Sequence, residues 1–103
     1  MKEKIFLCGA VTGYQNNKDV YSSLTAKLEV NGFEGVHPYQ VFPNLPEDAV
    51  SENHFLRKCT QAMADCTRVI TIKGWDDQSA ARTLVDIARK LNMDVESEIT
   101  FFS

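Results

Sequence analysis

The chain opens on a short apolar run that is followed at once by a glycine-containing loop. Ile5–Cys8 is rich in residues that favour strands, and Gly9 and Gly13 break the pattern directly after it. A buried strand that leads through such a loop into a helix is how parallel α/β sheets begin, and ligands bind outside the carboxyl ends of their strands. The segment Lys4–Tyr14 therefore favours an α/β fold and supplies the first candidate ligand loop.

Three amphipathic patterns follow, and each predicts a helix that packs one face on a sheet. The first helix starts near Asn16 and ends at Asn31-Gly32, where glycine accepts the left-handed conformation. The second starts between residues 47 and 51, and the third covers about residues 78–91, with Asn92 as a left-handed cap. The predicted inner faces are, in chain order, Val20, Leu24 and Leu28 with Tyr21 alongside; Phe55, Leu56, Cys59, Ala62, Met63 and Cys66; and Ala81, Leu84, Ile87, Ala88 and Leu91.

Short apolar runs alternate with these helices. Phe33–His37, Val69–Ile72 and Met93–Val95 read as strands, and Ile99–Phe102 either extends the last strand or adds another. Alternation of helices with strands too apolar to face water predicts right-handed crossovers. We expect one domain over residues 1–103, with a three-layer α/β fold. Its parallel sheet has four or five strands with helices on both faces, and the irregular segment 38–47 is a candidate lid or oligomer contact.

Composition narrows the class of function. The net charge of −3 over 103 residues provides no basic face, so nucleic acid is not an expected partner. No apolar run has the roughly 18 residues of a membrane span, and Met1–Lys4 carries no signal-peptide pattern, so we expect a cytoplasmic protein without membrane contact. The three cysteines, in apolar surroundings, are interpreted as reduced core thiols. No metal-ligand spacing is present, and no cofactor is predicted.

Candidate ligand-binding residues fall in two loops and at one strand end. Backbone N–H groups and a hydroxyl of the first loop are suited to hold a polar ligand near a helix start. In the second loop a tryptophan is placed to stack on a base or to close a pocket. Each feature also has a structural explanation: a tight turn, a packing anchor, a helix cap or a structural histidine. The candidates are Gly9, Thr12, Gly13 and Tyr14; His37; and Lys73, Gly74, Trp75 and Ser79.

Three motifs resemble the small nucleoside 2-deoxyribosyltransferase-like proteins. Lys4–Tyr14 is similar to their opening strand and Ser-Gly-Pro-Met-Thr-Gly loop, and Val36–Pro38 is similar to a Val-x-Asn-Pro strand end. Cys66–Trp75 is similar to Cys-Asp-Ala-Val-x-x-Leu-Pro-Gly-Trp. The resemblance covers about residues 4–95. It looks closest to the short branch known as a domain of unknown function, DUF4406.

The resemblance implies a Rossmann-like, flavodoxin-type fold and, in active members, cleavage of the N-glycosidic bond of a 2′-deoxynucleoside. A glutamate attacks the anomeric carbon, so that one hard displacement becomes two easier ones. Here the position of that glutamate falls at Leu84. The position of the assisting aspartate falls at Cys59, and that of the aspartate that follows the family's cysteine falls at Thr67. Asp77 and Asp86 are the weak candidates for a substitute carboxylate.

Three hypotheses follow from this pattern. The preferred one is a protein that binds a nucleoside or nucleotide-like small molecule with little or no transferase activity. The others are an active N-glycosidic transferase or hydrolase that uses a non-standard carboxylate, and a vestigial structural or partner-binding subunit. Because active relatives assemble as oligomers, a homo-oligomer is expected in each case.

Overall fold

A computed structural model of the chain describes residues 2–9, 17–42 and 51–103. Four parallel strands form one sheet in the spatial order β2-β1-β3-β4. This order matches the first four strands of the flavodoxin-like arrangement, so the predicted α/β fold is confirmed. The strands are β1 (Glu3–Cys8), β2 (Phe33–Val36), β3 (Arg68–Thr71) and β4 (Asp94–Ser97).

The first helix, α1, spans Asn17–Val30. Tyr21, Leu24 and Leu28 are its buried residues, whereas Val20 is exposed, so the prediction that Val20 faces the core was wrong. The buried residues are three and four positions apart, so they lie on one face of the helix. Val20 is about 100° around the helix axis from Tyr21 and therefore lies off that face. Gly32, with φ 87°, ends the helix in the left-handed conformation as predicted.

A second correction concerns the segment after β2. It was expected to be irregular, but α2 (Pro38–Val41) forms one helical turn. Pro38 presets φ at the first helical position, and the Gln40 carboxamide accepts the His37 N–H at 3.3 Å and donates to the Gly35 carbonyl at 3.1 Å. The remainder of the candidate lid, residues 43–47, lies outside the described residues.

The third helix, α3 (Glu52–Ala64), begins one residue after the predicted range. Ser51 caps it, since its hydroxyl accepts the His54 N–H at 3.2 Å. Phe55, Cys59 and Met63 are buried as expected. Cys66 is buried too, but it lies beyond the helix end and does not share a helix face with Cys59.

The next helix, α4 (Ser79–Lys90), carries a buried stripe of Ala81, Leu84, Val85 and Ala88. Val85 was not predicted to be internal, and Leu91, which was, is 51 % exposed because it follows the last helical residue. Asn92 has φ 60°, which confirms the predicted left-handed cap.

The expectation of a strand at Ile99–Phe102 was wrong. The segment α5 (Glu98–Phe101) is a single helical turn, capped by the Ser97 hydroxyl, which accepts the Thr100 N–H at 3.2 Å. Phe101 packs edge-on against Phe33 with ring centroids 5.7 Å apart. The apolar residues of this segment therefore serve tertiary packing and not strand pairing.

The helices cover both faces of the sheet. α1 packs beside Gly35, where an added Cβ would lie 3.3 Å from a Leu28 methyl carbon. On the opposite face the Cys8 thiol donates to the Ala81 carbonyl of α4 at 3.6 Å, and α3 packs against α4. Within the described residues, none of the helices has the length and apolar character that a membrane crossing requires.

Candidate functional site

The carboxyl ends of all four strands lie at one edge of the sheet. Cys8 pairs with Thr71 in register, Thr71 pairs with Ser97, and Phe6 pairs with Val36. Chain connections leave β1 toward β2 on one side, and β3 lies on the other side. This makes the crevice beyond β1 and β3 the switch point where ligands bind in such sheets.

Gly9 follows β1 at this switch point and is buried. A Cβ at Gly9 would lie 2.9 Å from the Ile72 Cβ and 3.2 Å from the Tyr21 hydroxyl. Ile72 is held there because its N–H donates to the Cys8 carbonyl at 2.9 Å. Glycine is therefore required for close approach of the two strand ends. The other candidates of this loop, Thr12, Gly13 and Tyr14, lie outside the described residues.

His37 follows β2 and belongs to an aromatic cluster with Tyr21 and Tyr39. Its ring stacks on Tyr21 with centroids 5.2 Å apart and an interplanar angle of 24°. Tyr39 meets both rings edge-on, at 5.4 Å from Tyr21 and 6.4 Å from His37. Tyr39 was not predicted, although its place three residues after the end of β2 was a usable signal, since that end lies at the carboxyl edge of the sheet.

Two polar atoms of this cluster are buried without a hydrogen-bond partner among residues 2–9, 17–42 and 51–103: the Tyr21 hydroxyl and His37 Nδ1. Burial raises the pKa of Tyr21, with Cys8 and Tyr39 adding to the rise. The nearby Gly9 backbone amide lowers the pKa of Tyr21 in part, although it does not meet hydrogen-bond geometry with the hydroxyl. Burial lowers the pKa of His37. At neutral pH the cluster therefore presents a protonated phenol and a neutral imidazole.

The lowered pKa of His37 predicts a pH-dependent stability. The unfolded chain takes up a proton near the ordinary pKa of 6.5, while the folded chain resists protonation until lower pH. Stability should therefore fall as the pH drops through 6.5. Urea unfolding at pH 7.5 and 5.5 measures this loss. His37→Gln should reduce the difference, while His54→Gln, at an exposed histidine, should retain it; equal differences in all three proteins would contradict the assignment.

The second predicted loop follows β3 and turns sharply. Gly74 has φ 90°, and Trp75–Asp77 form one turn of 3₁₀ helix. The Trp75 N–H donates to the Ile72 carbonyl at 3.0 Å, which ties the loop to the residue that packs on Gly9. The guanidinium of Arg82 donates to the Asp76 carbonyl at 2.7 Å, so Arg82 braces this loop. Gln78, and not Ser79 or Asp77, occupies the cap position of α4.

A cavity of about 210 Å³ lies beside this loop, between the ends of β3 and β4. It contains three of the predicted binding residues, Lys73, Gly74 and Trp75. Sequence reasoning missed its other wall, because a strand was expected where α5 lies. The remaining lining residues are Thr71, Asp76, Ser97, Glu98 and Ile99. Predicted and unpredicted residues therefore meet in one pocket at the carboxyl edge.

Comparison with protein-family models identifies the family of this chain. A model described as a domain of unknown function, DUF4406, matches residues 3–97. The chain belongs to the DUF4406 family. The match spans all four strands and the helices between them. A search of curated proteins gives no match.

The carboxylates of this DUF4406 protein do not occupy the position that the resemblance assigns to a nucleophile. Leu84 fills that position and is 1 % exposed, and Cys59, at the position of an assisting aspartate, is buried. Asp86 lies on the solvent side of α4, 71 % exposed, with Arg89 at 4.0 Å. Asp77 is exposed in the 3₁₀ turn.

The buried cysteines of the DUF4406 fold do not supply a nucleophile either. Burial raises the pKa of Cys8 to about 12, with Cys59 adding to the rise, and burial raises the pKa of Cys59 to about 12. Because the thiolate is the reactive form, both thiols are inert at neutral pH.

Proposed function

We propose that this DUF4406 protein binds a nucleoside or nucleotide-like small molecule at the carboxyl edge of its sheet, with little or no N-glycosidic transferase activity. Support for the location comes from the switch point between β1 and β3. There the backbone of Gly9 and the loop that carries Trp75 are joined through Ile72. Support for the ligand class comes from the resemblance of both loops to nucleoside 2-deoxyribosyltransferase-like proteins.

One observation carries the proposal of weak or absent catalysis: the burial of Leu84. A glycosyl-transferring carboxylate must reach the anomeric carbon of a bound sugar. At this position the chain has an apolar side chain packed in the core with Cys59 and Val85. Asp86 points to solvent on the same helix, so rotation of a side chain alone does not bring a carboxylate to that place.

Binding is tested by thermal unfolding in the presence of a panel of nucleosides and nucleotides. A ligand at 100 times its dissociation constant should stabilise the fold by about 2.7 kcal/mol, because it binds only the native state. For a domain of this size that corresponds to a rise of the melting temperature by roughly 10 °C or more. No rise with any member of the panel would contradict binding and favour the vestigial subunit.

Catalysis is tested by base exchange. The protein is incubated with deoxyinosine and free adenine, and chromatography detects deoxyadenosine. We expect none above the uncatalysed background. Exchange by the wild-type protein that is lost in Asp77→Asn or Asp86→Asn would instead identify that aspartate as the substitute carboxylate. Exchange that survives both substitutions would show that a nucleophile exists elsewhere.

We also propose that the protein forms a homo-oligomer, as the resemblance implies, and that it acts in the cytoplasm. A 103-residue domain buries a smaller fraction of its surface than a larger one and gains stability by association. Light scattering coupled to gel filtration measures the mass directly.

A further inference from the structure

We infer that the cavity between β3 and β4 is the subsite for the base of the ligand, and that it selects a guanine-type base. Glu98 accepts the two adjacent N–H groups of the base, and Trp75 stacks on its ring. The inference rests on the proposed function, because it names the ligand chemistry of one part of the same carboxyl edge.

The size and walls of the cavity suit a planar heterocycle. Its volume of about 210 Å³ is below the roughly 300–1,000 Å³ of pockets that hold whole drug-sized ligands. Trp75, which is half-buried, and Ile99, which is 73 % exposed, both line it. Exposed apolar side chains at a cavity lose water contact when a flat ring enters, and stacking of a base on an aromatic side chain stabilises the complex.

The polar groups of the cavity require hydrogen-bond donors from the ligand. Glu98 Oε1 lies 3.4 Å from the Lys73 N–H, which holds the carboxylate at the edge of the cavity. An ionised carboxylate only accepts hydrogen bonds and has room for about four, so it retains acceptor capacity for a ligand. Guanine offers N1–H and N2–H side by side, which matches the two oxygens of one carboxylate. Adenine lacks the N1–H, and hypoxanthine lacks the 2-amino group.

Charge in the cavity favours an uncharged ligand group over a phosphate. Its lining residues include the carboxylates of Asp76 and Glu98 against one ammonium group, that of Lys73. Thr71, the last residue of β3, is buried and adds a hydroxyl to the cavity wall. Its side chain makes no hydrogen bond to another described residue. A neutral base with several N–H groups satisfies these acceptors, whereas a phosphate would be repelled by the two carboxylates.

The cavity also adjoins the switch point. Ile72 contacts the Gly9 position through its Cβ and receives the Trp75 N–H on its carbonyl. A nucleoside whose base stacks on Trp75 therefore extends its sugar toward Gly9, at the switch point where the proposed function places the rest of the ligand.

Trp75 is the only tryptophan of the chain, so its fluorescence reports on this cavity alone. Guanosine, inosine and adenosine are titrated into the wild-type protein while the indole emission and the melting temperature are recorded. We expect quenching by guanosine at a concentration at least tenfold below that needed for adenosine, with inosine between them. Glu98→Gln should weaken guanosine at least tenfold. The matched control Glu96→Gln, two residues away and outside the cavity, should not.

The outcomes separate the two proposals. If nucleosides raise the melting temperature without quenching Trp75, or if Glu98→Gln binds guanosine as tightly as the wild type does, this inference is overturned while the proposed function stands. If no nucleoside gives either response, the proposed function itself fails. Should Glu98→Gln not fold, the order guanosine, inosine, adenosine in the wild-type protein decides: an absent or reversed order overturns the assignment.

Discussion

Leu84→Glu is expected to destabilise the protein by more than about 4 kcal/mol, which is among the largest effects of a single substitution. Leu84 lies on the inner stripe of α4 and is 1 % exposed. A glutamate there removes a packed side chain and buries a carboxyl group among apolar neighbours. Because small domains are stable by only about 5–15 kcal/mol, much of the protein should be unfolded at moderate urea concentration.

Urea unfolding followed by circular dichroism measures this effect, and Leu91→Glu provides the matched control. Leu91 follows the same helix but is 51 % exposed, so the same substitution should cost about 1 kcal/mol or less. The comparison separates burial of the carboxyl group from the change of residue type. A Leu84→Glu protein with wild-type stability, or one that hydrolyses deoxyinosine, would refute the view that this position is closed to substrate.

Gly9→Ala is expected to cost about 1–3 kcal/mol and to weaken ligand binding. The added Cβ would lie 2.9 Å from the Ile72 Cβ, an atom that side-chain rotation cannot move, so the ends of β1 and β3 must separate. Such a separation displaces the loop after β3, because the Ile72 carbonyl holds the Trp75 N–H. Unfolding in urea measures the stability, and the nucleoside panel measures the binding.

Gly35→Ala is the matched control for this second prediction. Gly35 lies within β2, where a Cβ would meet the end atoms of Thr25 and Leu28 at 3.1–3.3 Å. At these distances the side chains need to shift by only a few tenths of an ångström, whereas the contact at Gly9 is shorter and is made with an atom bonded directly to the backbone. Both substitutions lower the backbone entropy of the unfolded chain equally, so their difference isolates the contact with Ile72. A cost at Gly35 equal to or above that at Gly9 would contradict the close-approach role of Gly9.

Local patterns were sufficient for the elements of the fold. Helix ends at Gly32 and Asn92 were predicted because a left-handed residue after a helix is a property of the local backbone. Alternation of helices and strands predicted a parallel sheet with right-handed crossovers, whereas the spatial order of the strands came from the structure. Errors arose where the same apolar pattern fits either a strand or a short helix. Ile99–Phe102 is as apolar as a strand, yet the segment forms a helical turn that packs against Phe33.

The candidate site was predicted only in part. Lys73, Gly74 and Trp75 were found from their place after a strand, and the structure brings them to the carboxyl edge. Glu98 and Tyr39 were missed because both lie in short helical turns that were not predicted. Their contacts are also with residues distant in sequence: Glu98 accepts the Lys73 N–H, and Tyr39 packs on Tyr21. Whether Thr12, Gly13 and Tyr14 belong to the site stays a prediction.

The sequence by itself determined the α/β class, the alternation of elements and the edge of the sheet that carries the candidate site. These depend on periodicity and glycine placement, which act over a few residues. Tertiary structure decided that Val85 and not Leu91 completes the buried stripe of α4, that Gly9 is a contact point with Ile72, and that Glu98 shares a cavity with Trp75. Each of these depends on how residues far apart in the chain pack together, and burial of a side chain is set by that packing and not by its neighbours in sequence.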